Sequence, residues 1–568
     1  MPPNTAPERS CAGCSKRGTN LLACARCKQV WYCSRNCQMG HFPNHKVKCR
    51  QLAPGSSSKA SRARVKIPEI ATVDSAGQHT HAEGIEVVET KDLGKACIAT
   101  RDFSVGDTVL LEPPAVVFDE RDGYAGLFNA FLNASSETQQ KILQMYRPSE
   151  AKIKEHLDEK RKKIRIQRQQ LLVHQYNQYI QNDPAKKEIL PLALAELLIG
   201  VVDANAHAFQ SEHTVDIVAT STNNAVPKTY HALFTLGSRV EHSCSPNLTF
   251  ITQGGKLEYV AELNIKSGDR LAISYMGSVY ERPRKQRRGF LKENKMFFCK
   301  CLRCMSWDEC SPIRCDCQDG IMFHSGERDQ WECQACDKKA TQDDHVNQQL
   351  RGEAEVFARI RKFQYILQTD PYPEMLQEIL EVVKSSHWAQ FVHPLHWLNV
   401  EAYKLISSVA ASAARYYAKE NKILPTSKKI STLLRLSSMS MLRRILWSER
   451  VAAIDRGLVP LKDGAKVQEN FDAFSHKSVR VEDVSAVLNE LCDNQILHDF
   501  GTLGVSPAFH AGQDLILAQH KDLAYKLYKR FEVSFQRWRG LSEQSRDKIK
   551  VFLDSGGKDS QFGNFLLL

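Results

Sequence analysis

The spacing of hydrophobic positions changes along the chain and divides it into regions. Short runs rich in β-branched residues, separated by glycine, lie in residues 85–112 and 248–275, which predicts a compact β fold. Between them, residues 126–198 are charged and follow a helical period, so we expect a helical insertion. Helical periodicity also dominates residues 346–550. The polar, serine-containing residues 51–84 cannot support a packed core and predict a linker.

Length and composition narrow the class of protein. At 568 residues the chain is too long for one hydrophobic core, and usual domain sizes give about three or four units. A content of 42% hydrophobic and 25% charged residues is typical of a soluble globular protein, and no run approaches the ~18 apolar residues of a membrane span. Residues 1–10 are polar and carry no secretory signal. We therefore expect a reducing compartment, in the nucleus, the cytoplasm or both.

The cysteines are concentrated before residue 340, where 17 of the 18 lie. In a reducing compartment, Cys-x2-Cys pairs near a histidine indicate metal binding and not disulfides. The first 49 residues hold four pairs of soft ligands, which is the donor set of two tetrahedral Zn²⁺ sites without an open position for catalysis. So short a segment needs metal to fold. The eight ligands are Cys11, Cys14, Cys24, Cys27, Cys33, Cys37, His45 and Cys49.

The net charge of +12 is partly concentrated in residues 160–168 and 282–288. A run of like charges is usually a solvated helix face, and nuclear targeting or contact with a polyanion is the alternative. DNA binding would rest on net charge alone, because no recognition helix follows the ligand pairs. We therefore expect no direct binding to nucleic acid and no contact with a membrane.

The N-terminal segment resembles the MYND finger over its whole length, including the run Val30-Trp-Tyr-Cys-Ser34. The resemblance implies interleaved ligation, with one ion held by the first and third pairs and the other by the second and fourth. It also implies a docking role, because MYND fingers of known proteins bind proline-rich segments. The implied ligand sets are Cys11, Cys14, Cys33 and Cys37 for one ion, and Cys24, Cys27, His45 and Cys49 for the other.

Three further segments, in a fixed order, resemble the SET domain: Gly94-Lys-Ala-Cys-Ile-Ala-Thr-Arg-Asp, Val240-Glu-His-Ser-Cys-Ser-Pro-Asn and Gly268-Asp-Arg-Leu-Ala-Ile-Ser-Tyr. With the finger in front, the chain resembles the SET and MYND family of protein lysine methyltransferases. The resemblance implies an α+β fold, with a β-rich SET core, a helical insertion, a two-zinc MYND finger and an all-helical C-terminal domain. The expected domains are 1–50 (finger), 51–84 (linker), 85–298 (SET), 299–340 (post-SET zinc segment) and 341–568 (helical domain).

The resemblance implies S-adenosylmethionine as cofactor and Tyr275 as the catalytic residue, whose hydroxyl orients the lysine nitrogen. Two positions depart from the family, Ala96 in place of a glycine and Glu241 in place of an asparagine. A carboxylate at 241 can accept a hydrogen bond from the cofactor's ammonium group, but it cannot donate and it adds a negative charge. His207 equally fits a structural histidine. The implied cofactor contacts are Gly94, Lys95, Asn205, His207, Glu241, His242, Tyr275 and Phe297.

Two more zinc sites are expected after the finger. The resemblance implies one formed by Cys244, Cys299, Cys301 and Cys304, where the fourth thiolate ties the post-SET loop to the active site. A Cys-x-Cys and Cys-x2-Cys quartet further on is typical of a zinc ribbon, and unpaired surface thiols are the alternative. Its members are Cys315, Cys317, Cys333 and Cys336, while Cys97, Cys310 and Cys492 have no assigned partner.

Two functions follow as hypotheses. The first is an S-adenosylmethionine-dependent protein lysine N-methyltransferase, acting as a monomer on a histone or non-histone protein, with the finger docking a proline-rich partner. The alternative is a MYND adaptor with little or no activity, in which Glu241 and Ala96 mark a decayed cofactor site. The sequence does not identify the substrate protein, the target lysine or the number of methyl groups.

Overall fold

The computed structural model places two compact units, one formed by residues 1–62, 280–283 and 302–530 and the other by 63–279, 284–301 and 531–568. The expected α+β class is confirmed, while the predicted domain boundaries stay a prediction. Among the described helices, none combines the length and apolar character that crossing a bilayer requires. The residues that the structure describes are 9–12, 14, 16–18, 21–23, 30–34, 37, 41, 82–90, 94–119, 122–149, 159–210, 229–253, 256–317, 320–336, 338–341, 343–369, 372, 374–420, 427–461, 471, 474–475, 477–493, 505–532, 535 and 543–558.

The described part of the finger forms two small antiparallel hairpins. Tyr32 is fully buried and packs with Cys11, so an aromatic ring and a zinc ligand supply the small core. The Tyr32 hydroxyl lies 3.2 Å from Nδ1 of His41. The strands are β1 (Arg9–Ser10), paired with β2 (Arg17–Gly18), and β3 (Leu22–Ala23), paired with β4 (Trp31–Tyr32).

The SET segments lie in the other unit, whose described residues form ten short strands, and most of these strands contribute to one hydrophobic cluster. The core includes Val109, Phe234, Leu257 and Tyr259, none of which is more than 1% exposed to solvent. Strands β5 and β6 form a hairpin, β7, β13 and β12 form a second sheet, β8, β10 and β9 a third, and β11 pairs with β14 in parallel. The strands are β5 (Ile85–Thr90), β6 (Gly94–Ala99), β7 (Thr108–Glu112), β8 (Val116–Asp119), β9 (His207–Gln210), β10 (Thr229–Leu233), β11 (Glu241–His242), β12 (Leu248–Gln253), β13 (Lys256–Ala261) and β14 (Ala272–Ile273).

A helical insertion follows β8 and packs around its own apolar cluster, as the charged, periodic sequence predicts. Phe128, Leu172, Leu198 and Val201 belong to this cluster. The side chains that the structure describes in 163–168 are exposed, which agrees with a solvated face for that basic run. The helices of this unit before residue 300 are α1 (Gly123–Leu132), α2 (Ser136–Leu143), α3 (Glu159–Asn182), α4 (Lys186–Ile189), α5 (Leu192–Asn205) and α6 (Arg284–Asn294).

A four-stranded antiparallel sheet in the first unit carries the predicted ribbon cysteines. Ile313, Met322, Trp331 and Val346 form its apolar cluster together with two of those cysteines. The strands, in their order in the sheet, are β15 (Ile313–Arg314), β16 (Ile321–Ser325), β17 (Gln330–Cys333) and β18 (Lys339–Ala340). The short helix α7 (Leu302–Met305) precedes them in the chain.

Helices make up the rest of the described chain. The longest, α12, is buried along nearly its whole length. Two of its buried serines, Ser438 and Ser440, donate to carbonyls four residues earlier in the same helix. The helices are α8 (Asp344–Thr369), α9 (Met375–Val383), α10 (Ser386–Phe391), α11 (Leu398–Glu420), α12 (Lys428–Asp455), α13 (Val481–Asp493), α14 (Val505–Leu517), α15 (Lys521–Arg530) and, in the unit that holds the SET segments, α16 (Glu543–Asp554).

Candidate active site and zinc centres

Two of the SET-like segments meet through the parallel pairing of β11 with β14. Asn247 fastens them, because its side-chain nitrogen donates to the Arg270 carbonyl and its side-chain oxygen accepts from the Ala272 amide, each at 2.9 Å. This side chain adds two hydrogen bonds to the short backbone pairing of these strands. As a result, His242 and Tyr275, 33 positions apart in the sequence, lie side by side.

Tyr275 is held at both its backbone and its hydroxyl. Its amide donates to Nδ1 of His242 at 3.0 Å, and its hydroxyl donates to the Val240 carbonyl at 2.8 Å. Because Nδ1 accepts, we assign the proton of the neutral imidazole to Nε2, which faces Cys244 Sγ at 3.2 Å. The rings of His242, Tyr275 and Phe297 form a triangle with centroids 5.3, 5.9 and 6.5 Å apart.

The electrostatics of this triangle favour uncharged groups. Burial raises the pKa of Tyr275 above its usual range, and the nearby Glu241 carboxylate raises it further. Burial lowers the pKa of His242 to about 4. At neutral pH the tyrosine is therefore a protonated hydroxyl and the imidazole carries no charge.

Glu241, the departure from the family residue, lies in this environment with a counterion that sequence reasoning missed. Its side chain is 14% exposed, and its Oε1 lies 3.8 Å from Nη1 of Arg270, which is 47% exposed. The guanidinium offsets part of the buried negative charge, at a distance that makes this a loose pair. Arg270 is part of the SET-like segment that begins at Gly268, so the sequence does show a basic residue there. Nothing in the sequence, however, places that residue opposite Glu241.

The strand with Gly94 and Lys95 runs beside the segment that leads to Tyr275. The Leu271 amide donates to the Cys97 carbonyl at 2.9 Å, three residues after Gly94. Ala96, the other departure, is buried within this strand, and the described non-glycine residues with positive φ do not include it. Its methyl group therefore causes no backbone strain. The Lys95 side chain is exposed, and both cofactor contacts stay predictions.

Asn205 is the last residue of α5 and His207 the first of β9, and both side chains already contact other protein groups. The Asn205 side-chain nitrogen donates to the Val201 carbonyl at 2.7 Å. Nδ1 of His207 faces the Asn205 carbonyl at 3.1 Å and Nε2 faces the Tyr259 hydroxyl at 3.2 Å, with Phe234 against the ring. These are the contacts of a structural histidine, the alternative that the sequence left open. A cofactor contact by either residue stays a prediction.

Lys295 is a residue of this site that sequence reasoning did not single out. Its Nζ lies 5.7 Å from the centroid of the Tyr275 ring and 3.4 Å from the Ala204 carbonyl, to which it donates. Burial lowers the pKa of its ammonium group. No sequence signal could have found it, because its neighbours come from three separate parts of the chain.

Cysteine sulfurs come together in three of the four predicted sets, and within each set all four lie within 4.8 Å of one another. Tetrahedral Zn²⁺ with Zn–S bonds of about 2.3 Å separates its sulfurs by about 3.8 Å. The measured S–S separations include 3.4, 3.7 and 4.0 Å, far longer than a disulfide bond. The donor sets therefore fit Zn²⁺. They are Cys11, Cys14, Cys33 and Cys37; Cys244, Cys299, Cys301 and Cys304; and Cys315, Cys317, Cys333 and Cys336. The fourth set, Cys24, Cys27, His45 and Cys49, lies outside the described residues.

Gly320 shows how closely the ribbon cysteines surround their centre. A Cβ at this position would overlap Cys317 Sγ and would lie 2.6 Å from Cys333 Sγ. Only glycine leaves room there for four sulfurs and an ion. This cradle favours the zinc ribbon over unpaired surface thiols.

The remaining cysteines lie apart from these sets. Cys97 belongs to the SET core, where burial raises its pKa to about 12. Cys310 is buried and donates to the Tyr280 carbonyl. Burial also raises the pKa of Cys492. None of the three joins a described set of metal ligands.

Comparison with known families agrees with this geometry. Residues 11–49 match the MYND finger, and residues 42–276 match the SET domain. One segment of the chain thus matches a MYND finger and another matches a SET domain. The resemblance predicted from the sequence is thereby confirmed.

Individual relatives of this chain are distant or match only in part. The potential protein lysine methyltransferase SET6 of Saccharomyces cerevisiae is 35% identical over 74 residues, 13% of this chain and 20% of that protein. The N-lysine methyltransferase SMYD2 of Mus musculus is 22% identical over 302 residues, 53% of this chain and 51% of that protein. The chain thus spans about half the length, or less, of these curated relatives.

A solved structure also matches, the SET domain of LSMT bound to MeLysine and AdoHcy. It is 10% identical, with 73% of this chain and 90% of that chain covered, and the TM-score is 0.28. A score this low does not establish a common fold.

Proposed function

We propose that this protein is an S-adenosylmethionine-dependent protein lysine N-methyltransferase. The observation that carries the proposal is the triangle of Tyr275, His242 and Phe297, which two SET-like segments form with the residue two positions before Cys299. Relatives that are named as lysine methyltransferases support it.

The reaction needs a neutral lysine amine, a methyl donor in line with it and few competing water molecules. S-adenosylmethionine supplies the electrophilic methyl group when bound. Tyr275 orients the amine: its hydroxyl proton is committed to the Val240 carbonyl, so its oxygen faces the site as an acceptor. The amine would donate its N–H to that oxygen, which directs the nitrogen lone pair toward the methyl carbon. Such orientation can supply roughly 7–11 kcal/mol of the barrier.

Different residues would bind the different chemical groups of the cofactor. Phe297 offers an aromatic face to the adenine, and the exposed cation of Lys95 can reach the cofactor's carboxylate. Glu241 can accept from the ammonium group, because a carboxylate offers two acceptor oxygens. Gly94, Asn205, His207 and His242 complete the proposed contacts.

The finger would bring the substrate protein to this site or hold a partner. We propose a proline-rich peptide as its ligand, and a lysine of a histone or non-histone protein as the substrate. We also propose that the protein acts as a monomer in the nucleus, the cytoplasm or both. The rival function, an adaptor without turnover, depends on Glu241, because Ala96 lies unstrained in its strand.

The experiment that separates enzyme from adaptor uses the zinc-loaded full chain. Calorimetric titration with S-adenosylmethionine should show binding, and labelled methyl groups should pass to lysine in peptide arrays or cell extract. Absence of binding by zinc-loaded protein would refute the proposal and favour the adaptor. Cofactor binding without transfer to any substrate would also contradict it, and Glu241 would be the first residue to revert.

A further inference from the structure

Lys295 is fixed at the edge of the site by an unusual helix end. Its amide closes the last turn of α6 by donating to the Leu291 carbonyl at 2.9 Å. The next residue, Met296, has φ of 54°, the left-handed conformation that normally falls to glycine. A side chain in that conformation is strained, so the surrounding structure must enforce the turn. As a result of this turn, both Lys295 and Phe297 lie beside Tyr275.

The amine of Lys295 lies where an acceptor amine is needed. Nζ is 5.7 Å from the centroid of the Tyr275 ring and donates to the Ala204 carbonyl at 3.4 Å, a long hydrogen bond. The Asp203 carboxylate attracts it, but that carboxylate also lies 3.7 Å from Arg168. The amine is therefore held weakly and can turn toward the tyrosine hydroxyl.

The charge state of Lys295 suits a nucleophile. Only a neutral amine has the lone pair that attacks a methyl group. Burial lowers the pKa of Lys295, and the attraction of Asp203 offsets only part of that effect. The uncharged fraction of Lys295 at neutral pH is therefore larger than that of a lysine in water.

We propose that Lys295 is a self-methylation site, whose amine accepts a methyl group from S-adenosylmethionine held in its own SET domain. The proposal rests on the proposed function. The nitrogen lone pair forms a bond to the methyl carbon, the C–S bond breaks, and its electron pair goes to sulfur, which gives neutral S-adenosylhomocysteine. The nitrogen then loses one proton to solvent and remains as monomethyl-lysine.

Each chain would methylate its own Lys295, and the product would alter the active site that catalysed the reaction. A methyl group on Lys295 adds apolar volume beside Tyr275. Because the reaction is within one molecule, its rate should not depend on protein concentration, unlike methylation of one chain by another.

The direct test is mass spectrometry of the zinc-loaded full chain incubated alone with methyl-labelled S-adenosylmethionine. After digestion with chymotrypsin, label should lie on Lys295 and not on Lys292, at a rate unchanged over a tenfold dilution. Lys295→Arg should abolish this label, and Lys292→Arg should leave it. The unmodified chain is decisive by itself, so a failure of Lys295→Arg to fold would not spoil the test.

A second readout does not need turnover. Acetylation by an N-hydroxysuccinimide ester should label Lys295, and S-adenosylhomocysteine should protect it while Lys292 stays reactive. Absence of methyl label on Lys295 overturns the proposal in every case. Labelled proteins in an extract incubated in parallel would then show that the proposed function stands without it, and an unlabelled extract together with no cofactor binding would show that both fail.

Discussion

Replacing Gly320 by alanine should remove the zinc ion from the ribbon of Cys315, Cys317, Cys333 and Cys336. The added Cβ would overlap Cys317 Sγ, and it would lie 2.6 Å from Cys333 Sγ and 2.8 Å from Cys315 Cβ. Non-bonded heavy atoms need about 3.5–4.0 Å, so the nearest sulfurs would have to move by ~1 Å or more. Zn–S distances in structural sites vary by only about 0.2 Å, so four-sulfur ligation cannot survive.

The loss should be large enough to unfold the four-stranded sheet β15–β18. Structural zinc binds isolated finger peptides with roughly 10–16 kcal/mol, which is comparable to the stability of a whole domain, about 5–15 kcal/mol. Trp331 and Met322, which pack on the cysteines, would become exposed. Elemental analysis should therefore give one zinc fewer per chain than the unmodified protein, with a red-shifted tryptophan emission.

Gly289→Ala is the matched control, because nothing lies within 4 Å of an added Cβ at this helical position. It should keep its full zinc content and, by helix propensity, gain up to about 1 kcal/mol of stability. If Gly320→Ala retained all its zinc and its emission, the four cysteines would not be a zinc site. A content of two or fewer ions in the unmodified chain would also remove the site of Cys244, Cys299, Cys301 and Cys304.

Three other predictions follow. Glu241→Asn restores the family residue and should keep or improve S-adenosylmethionine affinity by calorimetry; a tenfold loss, about 1.4 kcal/mol, would show that the carboxylate makes a bond that asparagine cannot. Burial raises the pKa of Asp514 to about 7. The folded chain therefore holds this proton above the unfolded pKa of about 4, and the contribution of Asp514 to stability falls as pH rises from about 4 to about 7. Asp514→Asn should raise the Tm more at pH 8 than at pH 5, unlike the exposed Asp522→Asn, and equal shifts at both pH values would contradict this. Chelation of zinc should make residues 1–50 sensitive to protease, since ligand binding supplies their folding energy; continued resistance would count against the finger.

Local pattern was sufficient for the elements whose periodicity is strong. Strands β5 and β12 begin the two predicted β regions, 85–112 and 248–275, and helices α11 and α12 lie in the region of helical periodicity, 346–550. The four ribbon sulfurs also lie together, and within each Cys-x-Cys or Cys-x2-Cys pair the short spacing brings two thiols close. In each case neighbours in the sequence are neighbours in space.

The contacts of the candidate site could not be read from local pattern. Lys295 meets Tyr275 and Ala204 only after three parts of the chain fold together. The same is true of Arg270 beside Glu241. The basic run 282–288 is a further case in which local pattern misleads. A run of like charges usually indicates solvent exposure, yet Arg284 and Arg287 are buried. Tertiary packing, which no spacing rule encodes, determined each of these positions.

Methyl transfer by Tyr275→Phe, compared with the unmodified chain at equal zinc content, tests the central claim most directly. The change removes the hydroxyl and keeps the ring, so the rate on a peptide library or extract should fall by one or more orders of magnitude while S-adenosylmethionine affinity stays nearly constant. Tyr365→Phe, at a tyrosine 68% exposed in α8, should leave the rate unchanged. If Tyr275 only packs, its loss would cost roughly 0.5–1.5 kcal/mol of stability through the hydrogen bond to Val240 and nothing in rate. Equal rates for Tyr275→Phe and the unmodified chain would contradict the catalytic assignment.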